Sequence, residues 1–270
     1  MTSYPAPETP AGIGVEVLYE LIDDHIAVIT LNRPDKRNAV NGAVAKALDH
    51  LVKQVEADPA VRVAVLASSS PGVFSAGADL AEVSAGRGHE LGTRDGGFAG
   101  FVDQPKVKPW IAAVTGPALA GGCELALACD MIVASDDSRF GLPEVKRGLF
   151  AAAGGVHRLP RALPRAIALE LIATGEPMDV ARAYGFGLVN HVVPNDQVRD
   201  RAIDLARAIA VNAPLSVRES LKLARLAQEL SDGEMRERSR DAGRIVMTSE
   251  DAREGPLAFV QKRAPVWKGR

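Results

Sequence analysis

Between residues 15 and 193, short β-branched runs alternate with stretches of helical periodicity, and from about residue 195 onward the strands stop. Strand followed by helix, repeated, requires a sheet whose faces are covered by helices, so the chain is read as α/β. VEVLYELID and HIAVITL predict two strands joined by a turn at Asp23-Asp24. Asn41 is expected to cap a helix that carries Val44, Ala47, Leu48, Leu51, Val52 and Val55 on one face. VRVAVLAS predicts a buried strand, and WIAAVTG and MIVASDD predict two more. QVRDRAIDLARAIAVNA, PLSVRESLKLARLAQEL, GEMRERSRDAGRIVM and SEDAREGPLAFVQKR all have helical spacing. Pro214 suits the first turn of the second of these, and Ser249 the start of the last. Such amphipathic helices need a surface to pack on: the α/β core, a neighbouring subunit, or both. The expected division is a flexible lead-in at 1–14, a core at 15–194 and a helical region at 195–270.

Composition narrows the function classes. The chain has 270 residues and a formal charge of −2, which speaks against a nucleic-acid surface, since those carry a basic excess. No apolar run approaches the roughly 20 residues that span a bilayer, and the start lacks the basic-then-apolar pattern of a secretory leader. No membrane partner is expected, and a reducing cytoplasm fits best. Cys123 and Cys129 sit six positions apart in an Ala-rich apolar stretch, where buried free thiols are expected. No CxxC, HExxH or clustered His/Cys spacing points to a metal.

One segment stands apart. SAGRGHELGTRDGGFAG, through Gly86 to Gly100, carries many glycines and few anchors. It reads either as a plain surface loop or as a mobile wall over a ligand pocket.

Three stretches carry chemistry. Phe74-Ser75-Ala76-Gly77-Ala78-Asp79-Leu80 follows a strand and opens a helix, and its small residues let a backbone N–H approach a ligand. Asp79 has an equally plain reading as a helix cap. In GPALAGGCELALACD, a strand runs through a Gly/Ala turn into an apolar helix at Gly121. Amides at a helix start lack internal partners and the helix dipole favours negative charge there, so an oxyanion beside Gly121 is stabilised twice. GxGxxG is absent, so this is not a dinucleotide fingerprint. Glu124, one turn past Gly121, stands among Cys123, Leu125, Ala126 and Leu127. Desolvation there raises a carboxyl pKa and suits acid/base work. Glu144, in FGLPEVKRGL, also has apolar neighbours, although on its own a surface glutamate after proline is the plainer reading.

Taken together, FSAGADL, GPALAGGCELALACD and FGLPEVKRGL, in this order and spacing, resemble the enoyl-CoA hydratase (crotonase) superfamily. The resemblance runs from NRPDKRNAV near residue 32 to EDAREGPLAFVQKRAPVW at the C-terminus. It implies a spiral of ββα units with a helical C-terminal trimerisation region, and a homotrimer or a hexamer built as a dimer of trimers. Carried over by position, it implies Ala76 and Gly121 as the oxyanion hole and Glu124 and Glu144 as the catalytic pair. It places Ala76, Gly77, Ala78 and Asp79 along the thioester and pantetheine arm, Lys36 and Ala39 at the nucleotide end, and Lys262 near the phosphates. Two departures stand out. Ala151-Ala152 occupies a turn that often holds Pro-Gly, and Ala120 replaces a frequent glycine, a change expected to be small.

The implied reaction is reversible addition of water across the 2,3 double bond of a 2-enoyl-CoA in fatty acid metabolism, with no cofactor beyond the coenzyme A of the substrate. Glu124 is expected to deprotonate the water and Glu144 to protonate C2, with one of the pair held protonated by mutual repulsion. The alternatives are 3-hydroxyacyl-CoA dehydration, double-bond isomerisation, or non-catalytic binding of a CoA ester or RNA. A Ser-His-Asp hydrolase lacks its GxSxG elbow. The acyl pocket is expected from the 86–104 loop and from the surroundings of Phe140 and Phe150.

Overall fold

The computed structural model describes residues 14–270. The expected lead-in falls on residues 1–13, outside the described residues, and on Gly14. In chain order, β1 (Val17–Ile22) and β2 (Ile26–Leu31) lead to α1 (Gly42–Ala57), β3 (Val63–Ser68) and α2 (Leu80–Ser84). A short hairpin, β4 (Gly92–Thr93) and β5 (Gly97–Phe98), precedes β6 (Trp110–Val114), β7 (Ala118–Leu119) and α3 (Gly121–Leu127). Then come β8 (Met131–Ser135), β9 (Arg139–Gly141), α4 (Gly155–Ala162), α5 (Arg165–Thr174), β10 (Met178–Asp179), α6 (Val180–Gly185) and β11 (His191–Val193). Four helices close the chain: α7 (Val198–Ala210), α8 (Pro214–Leu226), α9 (Asp232–Met247) and α10 (Glu250–Val260).

The main sheet has the order β1-β2-β3-β6-β8-β11. Only the β1–β2 pair is antiparallel, turned through Asp23 and Asp24, both at positive φ. The parallel strands are buried on both faces, which is why they read as continuous apolar runs. Side chains alternate between two cores. Ala27, Ile29, Leu31, Ala64 and Leu66 join the face that receives α1. Ile26, Val28, Val63 and Val65 join the face that receives Val198, Ala202, Ile203 and Ala206 of α7. Thus α7, just past the expected boundary at 194/195, packs directly on the sheet.

The Asn41 side chain accepts from the Val44 amide and starts α1, whose six expected apolar positions are all buried. Burying each of the five Val and Leu side chains among them contributes roughly 1.5–3 kcal/mol, so packing holds this helix more than propensity does. A smaller sheet, β10-β9-β7, lies beside the main one and supports the turn into α3. No strand follows Val193, and Pro214 and Ser249 begin α8 and α10 as expected.

The 86–104 segment forms a one-turn helix and the β4–β5 hairpin. Its anchors are Leu91, Ala99, Phe101 and Val102, all buried. Asp49 of α1 accepts from Thr93 Oγ1 and Gln104 Nε2, both at 2.7 Å. Cys123 is buried and Cys129 half-buried, and both are free thiols. No helix among the described residues is long and apolar enough to cross a membrane.

Candidate active site

The NRPDKRNAV loop shapes the first wall of the site. Arg37 and Asn38 both adopt left-handed backbone angles, which turns the chain back on itself. The buried Asn38 then donates to Ser68 Oγ at 2.7 Å and to the Phe74 carbonyl at 3.1 Å. Ser75 Oγ donates to the Asn38 carbonyl and accepts from the Gly77 amide. Val40 donates to the Gly77 carbonyl, and its own carbonyl accepts from Asp79. In that parallel bridge the residue between, Ala78, turns its amide away from Val40.

This geometry corrects one expectation. The Ala76 amide donates to the Arg37 carbonyl at 3.0 Å, so it is not available to a ligand, although Ala76 still lines the cavity. Ala78, two residues on, makes no amide hydrogen bond among the described residues and lines the same cavity. Gly121, the first residue of α3, leaves its amide equally free, as a first helical turn does. The two turns are pressed together: a Cβ on Gly77 would fall 2.6 Å from the Gly121 nitrogen. Ala120 enters α3 at φ 51° and ψ −129°, a region that favours glycine, so its replacement of glycine carries strain.

The cavity beside these amides measures about 740 Å³ and contains both glutamates. Glu124 is 3 % exposed, and its Oε1 accepts from the Gly155 amide at 2.8 Å. Burial raises its pKa to about 7; the Gly155 amide opposes that rise and the Glu144 charge adds to it. Glu144 sits in the one-turn helix Pro143–Arg147, and burial raises its pKa as well. Its Oε2 is buried without a hydrogen-bond partner, an arrangement that leaves that oxygen for a ligand or a water. Ala152, from the Ala151-Ala152 turn, and Ala153 complete this side of the wall.

The remaining assignments divide. Lys36 is exposed at the rim of the cavity, together with Arg37 and Arg147, which sequence reasoning did not single out. Arg147 lies one helical turn beyond Glu144, a spacing that could have revealed it. Ala39 is outside the cavity lining; it is buried, with its carbonyl accepting from Arg33. Gly77 shapes the turn from behind. Asp79 takes its plain reading: it caps α2 through the Ala81 amide and pairs with Arg33 at 3.1 Å. Lys262 follows α10 and does not reach this cavity within one chain. Of the expected acyl-pocket surroundings, Phe98 of the 86–104 loop, Phe150, and Pro143 and Glu144 just past Phe140 line the cavity, whereas Phe140 itself is buried in β9 against β10 and β7.

The chain is similar to known proteins over nearly its whole length. The sequence model of the family described as enoyl-CoA hydratase/isomerase matches residues 22–270. Carnitinyl-CoA dehydratase from Escherichia coli strain K12 is 40 % identical over 261 residues, covering 94 % of this chain and 99 % of that protein. The crystal structure of an enoyl-CoA hydratase from Mycobacterium tuberculosis H37Rv superposes with a TM-score of 0.91 at 43 % identity, covering 95 % of this chain and all of the other. That of carnitinyl-CoA hydratase from Mycobacterium avium gives 0.75 at 45 % identity with the same coverage. The chain belongs to the enoyl-CoA hydratase/isomerase family, and its fold is that of the crotonase superfamily.

Proposed function

We propose that this protein reversibly adds water across the 2,3 double bond of a 2-enoyl-CoA thioester. The observation that carries this reading is the placement of Glu124, Glu144 and the free amides of Ala78 and Gly121 around one cavity. Conjugate addition puts negative charge on the thioester oxygen. Two preorganised amides stabilise that charge, and losing one such donor typically costs about 3 kcal/mol. Glu124, held by Gly155, deprotonates the incoming water. Glu144, protonated through its buried and unpartnered oxygen, delivers the proton to C2. Lys36, Arg37 and Arg147 supply a cationic rim suited to the phosphates of coenzyme A.

The same groups run the reverse direction, so dehydration of a 3-hydroxyacyl-CoA is the second reading. It is favoured by the likeness to proteins named carnitinyl-CoA dehydratase. Loss of enoyl-thioester absorbance with crotonyl-CoA, and its gain with 3-hydroxybutyryl-CoA and carnitinyl-CoA, separates the two substrates. Turnover of none of these esters would sink the hydration chemistry. We also propose self-association as a homotrimer or hexamer, since Met247, Phe259 and Val260 in the C-terminal helices are largely exposed. A monomer mass in light scattering at micromolar concentration contradicts it.

A further inference from the structure

A second hollow of about 510 Å³, open to solvent, adjoins the first and is lined by His89, Leu91, Gly92, Thr93 and Arg94 of the hairpin region. Among the described residues, only Ala78 and Phe98 border both. Ala78 ends at its Cβ, so of the two Phe98 has the larger side chain to set between them. The ring lies directly on Gly121: a Cβ there would fall 2.5 Å from Phe98 Cε1 and 2.6 Å from Cζ. The aromatic edge therefore borders the position of the reacting thioester, next to an amide that is free to bind its oxygen. The backbone carrying Phe98 is held in place. Thr93 Oγ1 and Gln104 Nε2 both donate to Asp49, and the Gly96 amide donates to Thr93 Oγ1 at 3.0 Å.

We propose that Phe98 sets the acyl-chain length: the ring confines the alkyl tail to the first cavity, and removing it joins the two cavities and admits longer chains. This rests on the reading of the first cavity as an acyl-CoA site. Solvation supports the direction, because an alkyl tail gains by covering the apolar ring and gains nothing at the hydrated Lys36, Arg37 and Arg147 rim. Ala78 and Leu91 offer apolar surface beyond the ring for a longer tail to cover, beside His89 and Arg94.

The test compares binding of butyryl-CoA and decanoyl-CoA, saturated esters that cannot be hydrated, to the wild type, Phe98→Ala and Phe98→Leu by calorimetry. The expected result is a rise of about tenfold or more in relative affinity for the ten-carbon ester in Phe98→Ala, with a smaller rise in Phe98→Leu. An unchanged ratio in both folded variants overturns the partition. Crotonyl-CoA turnover by the wild type is measured in parallel. Its absence alongside the expected binding shift overturns the hydration chemistry and supports the partition, whereas binding of neither ester overturns both.

Discussion

The amide of Gly155 donates to Oε1 of Glu124 across 2.8 Å, tying the first turn of α4 to a carboxylate buried in α3. That bond fixes which oxygen of Glu124 faces the cavity. It also offsets part of the cost of burying a carboxylate among Cys123, Leu125 and Ala126.

Burial makes Glu124 a pH-dependent weak point in the fold. Its pKa is about 7 in the folded protein against 4.5 ordinarily. Between those values the folded state holds a proton that the unfolded chain has released, so stability falls as pH rises through this window. The loss is of the order of 3 kcal/mol by pH 8. Urea denaturation of the wild type from pH 4.5 to 8 is expected to show that decline, and Glu124→Gln is expected to flatten it. Equal slopes in the two proteins contradict the assignment.

Ala120 holds positive φ at the entry to α3. Glycine adopts that conformation without strain, at the cost of a more flexible unfolded chain. Ala120→Gly is expected to raise the unfolding free energy by about 1 kcal/mol, read as a higher urea midpoint at constant slope. A lowered midpoint refutes strain at this position.

Gly77 is required twice, by its φ of 85° and by the Gly121 nitrogen 2.6 Å from where a Cβ would sit. Gly77→Ala is expected to push the two free amides apart and cut kcat by about 100-fold or more. Circular dichroism checks that the variant folds, and turnover within threefold of wild type contradicts the paired-amide arrangement.

Much of this was legible in the sequence, for identifiable reasons. The strand and helix pattern follows from apolar periodicity, and Asn41, Pro214 and Ser249 mark helix starts through local backbone chemistry alone. Glu124 and Gly121 share a cavity because three residues make nearly one helical turn. Which amide of FSAGADL points into the cavity was not legible. That depends on its pairing with Arg37 and Val40, some forty residues earlier, which takes up the Ala76 amide and leaves that of Ala78. Nor could spacing show that Phe140 turns inward while Phe98, in a glycine-rich loop, lies against Gly121. Ala39 turns inward for a simpler reason: adjacency to a motif does not give a side chain's direction.

The central claim is that Glu144 delivers a proton in a hydration carried out within this cavity. Its most direct test is Glu144→Gln, nearly identical in size but unable to act as an acid. The account predicts a fall in crotonyl-CoA hydration kcat of about a thousandfold or more, with butyryl-CoA affinity within about threefold of wild type. Hydration by Glu144→Gln at close to the wild-type rate would contradict it.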